Sequence, residues 1–351
     1  MKTRFVIFIV IVLPIISLAQ TFGKYSGEFM AIGIGGRALG VGSAYAALAN
    51  DVTAGYWNPA GLARIEYPQI AISHDERFGN LINYDYAAFA FPSGVNSINL
   101  ESQEKEYNAE SYAISVIRLG VDGIPDTRKA WADSNGNSLY DENMRPDYTS
   151  ITFFNWSDWV VYGTYAKQYS ENFFYGANVK LIRRNAGSFH GTGIGFDIGA
   201  QYLVSENFVL GANLQDATTT LVSWNTGTNE LISPTLKLGT AYTVEIFDGR
   251  CTPALGTDVR FENRRFSAIA HFGPISFDPQ VGIEYDYKNI VAVRAGYNDI
   301  GNVTLGAGIH LRKLDIDYSF AKFDAADQLG NTHRISLRIT LQEDKYRRGA
   351  E

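Results

Sequence analysis

The sequence predicts an all-β protein, a transmembrane antiparallel β-barrel of about 14 strands with a short helical N-terminal segment. Three observations predict it: an export signal at the N-terminus, long stretches in which apolar and polar residues alternate, and aromatic residues crowded near the ends of the apolar face. After the export signal, no apolar run approaches the roughly 18 residues of a membrane-spanning helix, so a helical membrane protein is excluded.

Composition argues against two further classes. The chain has 351 residues and a formal net charge of −7, and it contains no basic stripe, which argues against a nucleic-acid partner. Cys251 is the single cysteine, so no disulfide can form within the chain. The hydrophobic content of 46% resembles that of a soluble protein, but in alternating strands it is an average over two opposed faces.

Residues 1–19 are organised as a secretory signal peptide. Lys2 and Arg4 form a short basic start, an apolar core runs from 5 to 16, and small residues at 17 and 19 precede the expected cleavage point. A membrane anchor is the alternative, but the core is short for one, and no cysteine follows it for lipid attachment. The mature protein is therefore expected to leave the cytoplasm, and as a transmembrane barrel it is expected in the outer membrane.

Alternation identifies the strands. From about residue 158 onward, apolar residues recur at every second position in stretches of nine to eleven residues, as at Phe173, Tyr175, Ala177, Val179 and Leu181. This is the period of a strand with one apolar face, and the length that crosses a bilayer at a tilt of about 45°. The predicted strands are 67–74, 82–91, 110–119, 158–168, 173–184, 192–204, 207–215, 234–246, 252–261, 280–287, 290–298, 302–311, 313–322 and 332–341.

A soluble periplasmic β protein would also alternate, so the membrane assignment depends on further features. The strands are longer than the five or six residues usual in soluble sheets. Aromatic residues cluster near strand ends on the apolar face, as interfacial girdles do. The opposite face is rich in Gly, Asn, Asp, Arg and Lys, which suits a hydrated lumen.

Connections between the strands mostly alternate in length, as the short periplasmic turns and long external loops of barrels do. The connections 92–109 and 299–301 break this alternation. An internal repeat, Ser-Glu-Asn-Phe followed by Gly-Ala-Asn, begins at Ser170 and again at Ser205, and it marks a repeated hairpin. The long external loops are expected at 120–157, 216–233, 262–279 and 323–331.

Between Ile32 and Arg64 the alternation stops and small residues dominate. The run 44–49 suits a short helix, and 58–61 indicates a turn. Glycines in this segment superficially match a dinucleotide-binding loop, but no strand–turn–helix unit surrounds them. The expected organisation is a signal peptide over 1–19, an N-terminal segment over 20–66, a barrel over 67–341 and a solvated periplasmic tail over 342–351.

The sequence GGRALGVGSAYAALANDVTAGYWNPAGLA, residues 35–63, resembles the N-terminal motif of PorV/PorQ-type outer-membrane proteins, which are relatives of the FadL transporters of hydrophobic compounds. Residues 120–128, 176–187 and 331–337 are similar to the same group, so the resemblance covers most of the mature chain. The residues that carry the motif are Arg37, Asp51, Tyr56, Trp57, Asn58, Pro59 and Gly61.

This resemblance implies a 14-stranded barrel in which 20–66 forms a plug near the periplasmic mouth. PorV-type members resemble shuttle or attachment subunits of the type IX secretion system, which implies exported proteins or secretion-system subunits as partners. FadL members pass hydrophobic small molecules through the wall, and the sequence leaves this alternative open. The chain departs from many barrels in one respect, because Leu341 stands where a terminal aromatic residue is usual.

The external loop contains one candidate metal site. Asp133, Asn135, Asn137 and Asp141 occupy positions 1, 3, 5 and 9 of an EF-hand-like loop, and oxygen ligands at this spacing can converge on Ca²⁺. Ser138 replaces the usual glycine, and no glutamate stands at position 12. A polar surface turn is the alternative, and no other cofactor is expected.

No catalytic constellation is recognisable, so a non-enzymatic protein is expected over the alternative of an outer-membrane hydrolase. The five histidines are scattered, and no G-x-S-x-G motif occurs. Glu284 and Asp286 lie two residues apart on one strand face. With Arg294, Arg312 and Arg338 on other lumen faces, these carboxylates predict cross-barrel charge pairs rather than acid–base catalysis.

Overall fold

A computed structural model describes residues 27–79, 81–98, 105–130, 147–261, 269–298, 302–322 and 332–349. Within these residues, 14 strands form one closed antiparallel barrel in which each strand pairs with the next. The last strand pairs with the first, so that Ile339 lies opposite Ile70 and Ser336 opposite Ser73. The predicted fold class is therefore confirmed.

The strands in chain order are β1 Gln69–Arg77, β2 Ile82–Ser93, β3 Ser97–Ile98, β4 Lys105–Glu106, β5 Glu110–Asp126, β6 Thr152–Gln168, β7 Phe173–Ala186, β8 Phe189–Ser205, β9 Phe208–Gln215, β10 Thr220–Trp224, β11 Asn229–Ile232, β12 Thr235–Tyr242, β13 Val244–Ile246, β14 Gly249–Arg260, β15 Ala270–Phe272, β16 Ile275–Tyr287, β17 Val291–Tyr297, β18 Val303–His310, β19 Leu314–Lys322 and β20 Thr332–Thr340. Fourteen of these strands close the barrel, and β10 pairs with β8 and extends the wall at its outer end. The short strands β3, β4, β11, β13 and β15 belong to connections.

Each predicted strand is present, but parts of three predicted loops are wrong, and one of them, 216–233, contains β10 and β11. The hairpin β5–β6 extends into 120–157, with Ile124 opposite Phe154 beyond a bulge at Val121. Backbone pairing continues there although the apolar alternation has faded, because strands that rise beyond the hydrocarbon layer no longer need a lipid-facing side. The predicted loop 262–279 likewise contains β15 and the first residues of β16.

The outside of the wall is apolar on strands all around the barrel. Exposed fractions are 51% for Ile72, 56% for Leu181, 58% for Ile198, 55% for Leu255 and 54% for Ile335. A soluble protein rarely exposes a contiguous apolar patch of more than a few hundred Å². The soluble alternative is therefore excluded, and this lipid-facing surface places the barrel in the outer membrane.

The two ends of the barrel can be told apart. β1 begins and β20 ends at the same end, where the Leu341 amide donates to the Pro68 carbonyl at 2.9 Å. Short turns such as 169–172 and 206–207 lie at this end, so it is periplasmic. The two exceptional connections do not disturb the strand parity. The connection 92–109 carries the small hairpin β3–β4 at the periplasmic end, and β17 ends and β18 begins at the outer end.

The helical N-terminal segment lies inside the barrel. The helix expected over 44–49 is wrong, because Asn58 and Gln201 donate side-chain amide hydrogens to the carbonyls of Ala46 and Ala49, which leaves these residues in turns. No helix in the described ranges is long and apolar enough to cross a membrane. The helices are α1 Glu28–Ala31, α2 Gly36–Gly40, α3 Ala54–Trp57 and the 3₁₀ helices Pro59–Arg64, Tyr148–Ser150 and Asp344–Tyr346.

Candidate functional site

The plug, which is the described N-terminal segment 27–66, fills the middle of the lumen. Its 3₁₀ helix Pro59–Arg64 packs against β5 to β8, and α2 packs against β17 to β20 on the opposite side. Tyr45, Tyr56 and Trp57 are almost fully buried at its centre, and their rings meet edge to face. The plug therefore spans the cross-section of the barrel.

Glycines on the inner wall let the plug backbone approach the wall closely. A Cβ added at Gly176 would lie 2.6 Å from the carbonyl carbon of Pro59. A Cβ added at Gly211 would collide with the Ala46 carbonyl oxygen, and one added at Gly282 would collide with the Val41 carbonyl oxygen. Other wall glycines that a Cβ would press against plug atoms are Gly199, Gly239, Gly256, Gly296 and Gly306. We call this set the glycine band.

The internal repeat has a structural role in plug binding. In its first copy, Gly176 contacts Pro59, and Asn178 donates to the Gly55 carbonyl at 2.7 Å. In its second copy, Gly211 contacts Ala46, and Asn213 donates to the Trp57 carbonyl at 3.0 Å. Each Gly-Ala-Asn unit therefore places a glycine and an amide side chain on the lumen face, one for close approach and one for hydrogen bonding.

The aromatic and Asn-Pro-Ala-Gly residues of the motif hold the plug in shape. The Tyr56 hydroxyl donates to the Met30 carbonyl at 2.5 Å, and the Trp57 indole donates to the Ile34 carbonyl at 3.1 Å. Asn58 caps the 3₁₀ helix that Pro59 begins, accepting from the Ala60 amide at 3.2 Å. Gly61 is required because a Cβ there would collide with the Ala49 carbonyl.

Arg37 and Asp51, the charged residues of the motif, join the plug to the wall. Arg37 donates through two nitrogens to Glu284, each at 2.9 Å. Asp51 accepts from Arg338 at 2.5 Å. We call Arg37, Asp51, Glu284 and Arg338 the latch. Such charge-assisted pairs are the strong class of hydrogen bonds, and removal of one partner leaves the other charge uncompensated.

The latch continues into pairs within the wall. Arg294, whose side chain is fully buried, bonds Glu284 and Asp317 at 2.6 Å each, and Arg338 also bonds Asp315 at 2.7 Å. The cross-barrel pairing predicted for Glu284 with Arg294 is thus present. Arg312 differs from the prediction, because it is exposed and has no ion-pair partner in the part of the chain that the structure describes.

Asp51 is ionised in the docked plug. Burial alone would raise the pKa of its carboxyl, but Arg338 and Arg37, together with hydrogen bonds from Thr53, outweigh burial and lower the pKa below its ordinary value. Since Asp51 lies on the plug and Arg338 on β20, this charge contributes to docking rather than to the plug alone.

On its periplasmic side, the plug borders a cavity of about 970 Å³. Arg37, Asn50 and Arg64 face it from the plug, and Glu284, His310 and Arg338 face it from the wall. We call this space the vestibule. It is polar and charged, so it favours water or a polar polypeptide over a hydrocarbon.

On its outer side, the plug covers an apolar row on the wall. Ile117, Val160, Ile182 and Val222 point inward from β5, β6, β7 and β10, and each is at most 3% exposed. Pairing places them side by side: Ile117 faces Val160, Val160 faces Ile182, and Gly193 links Ile182 to Val222. This row, which we call the recess, forms one buried cluster with Phe29 and Met30 of α1.

A caged arginine borders the recess. The guanidinium of Arg184, two residues along the strand from Ile182, lies 5.3 Å from the ring centres of Phe29 and Trp224 and 5.8 Å from that of Trp156. Asp158 binds it through both carboxylate oxygens at 3.0 and 3.2 Å. The ring of Phe29 therefore completes an aromatic enclosure whose other members belong to the wall.

Sequence reasoning missed two features of the site. Phe29 and Met30 lie in a four-residue helix, too short to produce a periodic pattern. The tail was expected to be solvated, yet Arg348 bonds to the plug, which no local pattern signals. The candidate calcium ligands Asp133, Asn135, Asn137 and Asp141 lie outside the described residues.

Comparisons with known proteins show the fold. No protein-family model matches the chain, and no curated protein matches it. Among solved structures, the Ralstonia pickettii toluene transporter TbuX is similar at 12% identity and a TM-score of 0.50, covering 88% of this chain and 97% of that one. The CymD monoaromatic hydrocarbon channel is similar at 13% identity and a TM-score of 0.52, covering 89% and 98%. A Pseudomonas aeruginosa FadL homologue has a TM-score of 0.46 at 13% identity, covering 87% and 97%. The barrel therefore shares its fold with TbuX and CymD.

Proposed function

We propose that this protein is a non-enzymatic outer-membrane channel for hydrophobic small molecules, closed at rest by its plug. The observation that carries the proposal is the recess, a row of buried aliphatic side chains on the lumen face that belongs to the same apolar cluster as Phe29 and Met30. The fold supports it, since TbuX and CymD are channels for toluene and monoaromatic hydrocarbons.

Competition with the plug provides a physical route to opening. Phe29 and Met30 are 6% and 7% exposed, and burial of one such side chain stabilises by about 1.5–3 kcal/mol. A small apolar molecule in the recess gains a similar amount, so it can displace α1 without an energy source. Beyond the plug, the polar vestibule offers it no comparable surface, so it is released.

A matched pair of variants tests this route. Ile182→Thr places a hydroxyl in the recess, and Ile194→Thr places the same group on the lipid face, where Ile194 is 49% exposed. Accumulation of radiolabelled toluene is measured in cells that lack the gene and in cells complemented with each form. We expect uptake to fall on deletion and with Ile182→Thr, but not with Ile194→Thr. Uptake unaffected by deletion refutes the function.

A second function, attachment or shuttling of exported proteins in type IX secretion, is favoured by the vestibule. The motif from Arg37 to Gly61 resembles that of PorV/PorQ proteins, and a polar cavity of about 970 Å³ at the periplasmic mouth has room for a short polypeptide segment. Comparison of secreted and surface-attached proteins between wild-type and deletion strains tests it. Unchanged protein profiles contradict this second function and leave the first in place.

A further inference from the structure

The chain does not end at the last wall strand: residues 341–349, which we call the strap, run back across the periplasmic end of the plug. The Leu341 amide donates to the Pro68 carbonyl at 2.9 Å, and the Arg348 amide donates to the Glu66 carbonyl at 2.8 Å. The strap therefore follows the segment that connects the plug to β1.

One side chain of the strap makes most of its polar contacts. The guanidinium of Arg348 donates to the carbonyls of Ala63 and Ile65 at 3.0 and 2.7 Å. It also donates to the Ser111 hydroxyl at 2.9 Å and to the Ser93 carbonyl at 3.3 Å. Three of these oxygens surround Nη2 and share its two hydrogens, and the Ser93 carbonyl is reached by Nη1. The compact ammonium of lysine cannot place donors at both nitrogen positions of the planar guanidinium.

These four oxygens belong to parts of the fold that separate if the plug leaves. Ala63 and Ile65 lie at the end of the plug's 3₁₀ helix and just after it, whereas Ser93 is the last residue of β2 and Ser111 the second residue of β5. Outward movement of the plug carries the first pair away from the second. Arg348 cannot then keep all four bonds, so its contacts resist that movement.

The end of the strap is itself fixed. Gly349 has a φ of +80°, a conformation that favours glycine, and a Cβ there would lie 2.5 Å from a methyl carbon of Val95. Val95 follows β2 directly in the chain. The strap is therefore packed against the wall on the far side of Arg348.

We propose that the strap is an intramolecular lock that holds the plug in the lumen, with Arg348 as its key residue. The lock acts at the exit of the plug, whereas the latch holds α2 and the loop of Asp51. It acts on closure of the lumen and does not depend on whether the cargo is a hydrophobic molecule or a protein.

Adjacent arginines provide a matched test. Arg347 is 60% exposed at its side chain and has a single ion pair, 3.6 Å from Glu66. Single-barrel conductance is recorded in planar bilayers for wild type, Arg348→Ala, Arg348→Lys and Arg347→Ala. We expect openings at least 10-fold more frequent in Arg348→Ala, which corresponds to about 1.4 kcal/mol. Arg348→Lys is expected to lie close to Arg348→Ala, and Arg347→Ala close to wild type.

A truncated chain ending at Leu341 gives an independent measurement. It is expected to open as often as Arg348→Ala, and a synthetic peptide of residues 342–351 at millimolar concentration is expected to restore closure. The same peptide carrying Arg348→Ala should not. Heat-modifiable migration on gels confirms that each barrel is folded. If the folded variants stay as closed as wild type, or if the strap variants do not fold as barrels, the proposal is wrong.

Discussion

Substitution of alanine for Gly282 should loosen the plug without harming the barrel. Gly282 lies on β16 in the glycine band, and an added Cβ would collide with the Val41 carbonyl and lie 2.8 Å from the Val41 Cβ. These atoms belong to the plug backbone and a β-branched side chain, which cannot rotate away. Gly163 on β6 is the matched control, because an added Cβ there meets nothing within 4 Å.

The expected magnitude follows from two opposed effects. Gly→Ala at a compatible strand position stabilises by about 0.4–1 kcal/mol through the unfolded chain. Overpacking of a tight contact costs about 1–3 kcal/mol, and in Gly282→Ala this cost falls on the docked plug alone. The undocked plug should therefore become about 5- to 150-fold more populated. In Gly163→Ala only the stabilising effect remains.

Trypsin cleavage within the plug measures this population. Arg37 and Arg64 are cleavage sites that become accessible when the plug leaves the lumen, and cleavage rates follow the open population if reclosing is fast. We expect Gly282→Ala to be cleaved faster than Gly163→Ala, with the same heat-modifiable migration for both. Equal cleavage rates for the two variants refute the idea that the glycine band determines plug docking.

Three further outcomes are expected. The pKa of Asp51 is lower in the docked plug than its ordinary value of 3.8, so its contribution to docking is complete above 3.8 and is lost as the pH falls through the docked value. Tryptophan fluorescence should therefore be flat from neutral pH to about pH 5 and change only below 3.8. Asp51→Asn should remove that low-pH step, and a step that persists in the variant would assign it to another group. Phe29→Ala empties one side of the Arg184 enclosure and should strengthen toluene binding about 10-fold or more, whereas equal affinity would show that α1 does not compete. If the loop with Asp133 and Asp141 binds Ca²⁺, calorimetric titration should show heat at or below millimolar Ca²⁺, and its absence contradicts the site.

The strands of the wall were predictable from sequence because the direction of each side chain depends only on its position along its own strand. A period of two places every second side chain toward lipid, so Leu181 and Ile198 could be assigned to the outside without knowledge of their neighbours. The pairing of Glu284 with Arg294 was predictable for the same reason, since both lie on lumen faces of adjacent strands.

The plug and the strap were not predictable, because their conformations depend on distant partners. Ala46 lies in a run that favours a helix, yet Gln201, 155 residues away, binds its carbonyl. Arg348 looks like a solvated tail residue until Ala63, 285 residues away, is placed beside it. The segment that carries the motif lies inside the barrel, but the resemblance could not assign its helices.

The latch has a consequence for biogenesis. Arg37 is synthesised 247 residues before its partner Glu284, and Asp51 is synthesised 287 residues before Arg338. The segment made first therefore has no complete binding site until the strands made last have closed the ring. A chain that ends before β20 lacks Arg338, so Asp51 of the plug is left without its partner on the wall. Closure of the barrel and docking of the plug through the latch are therefore completed together.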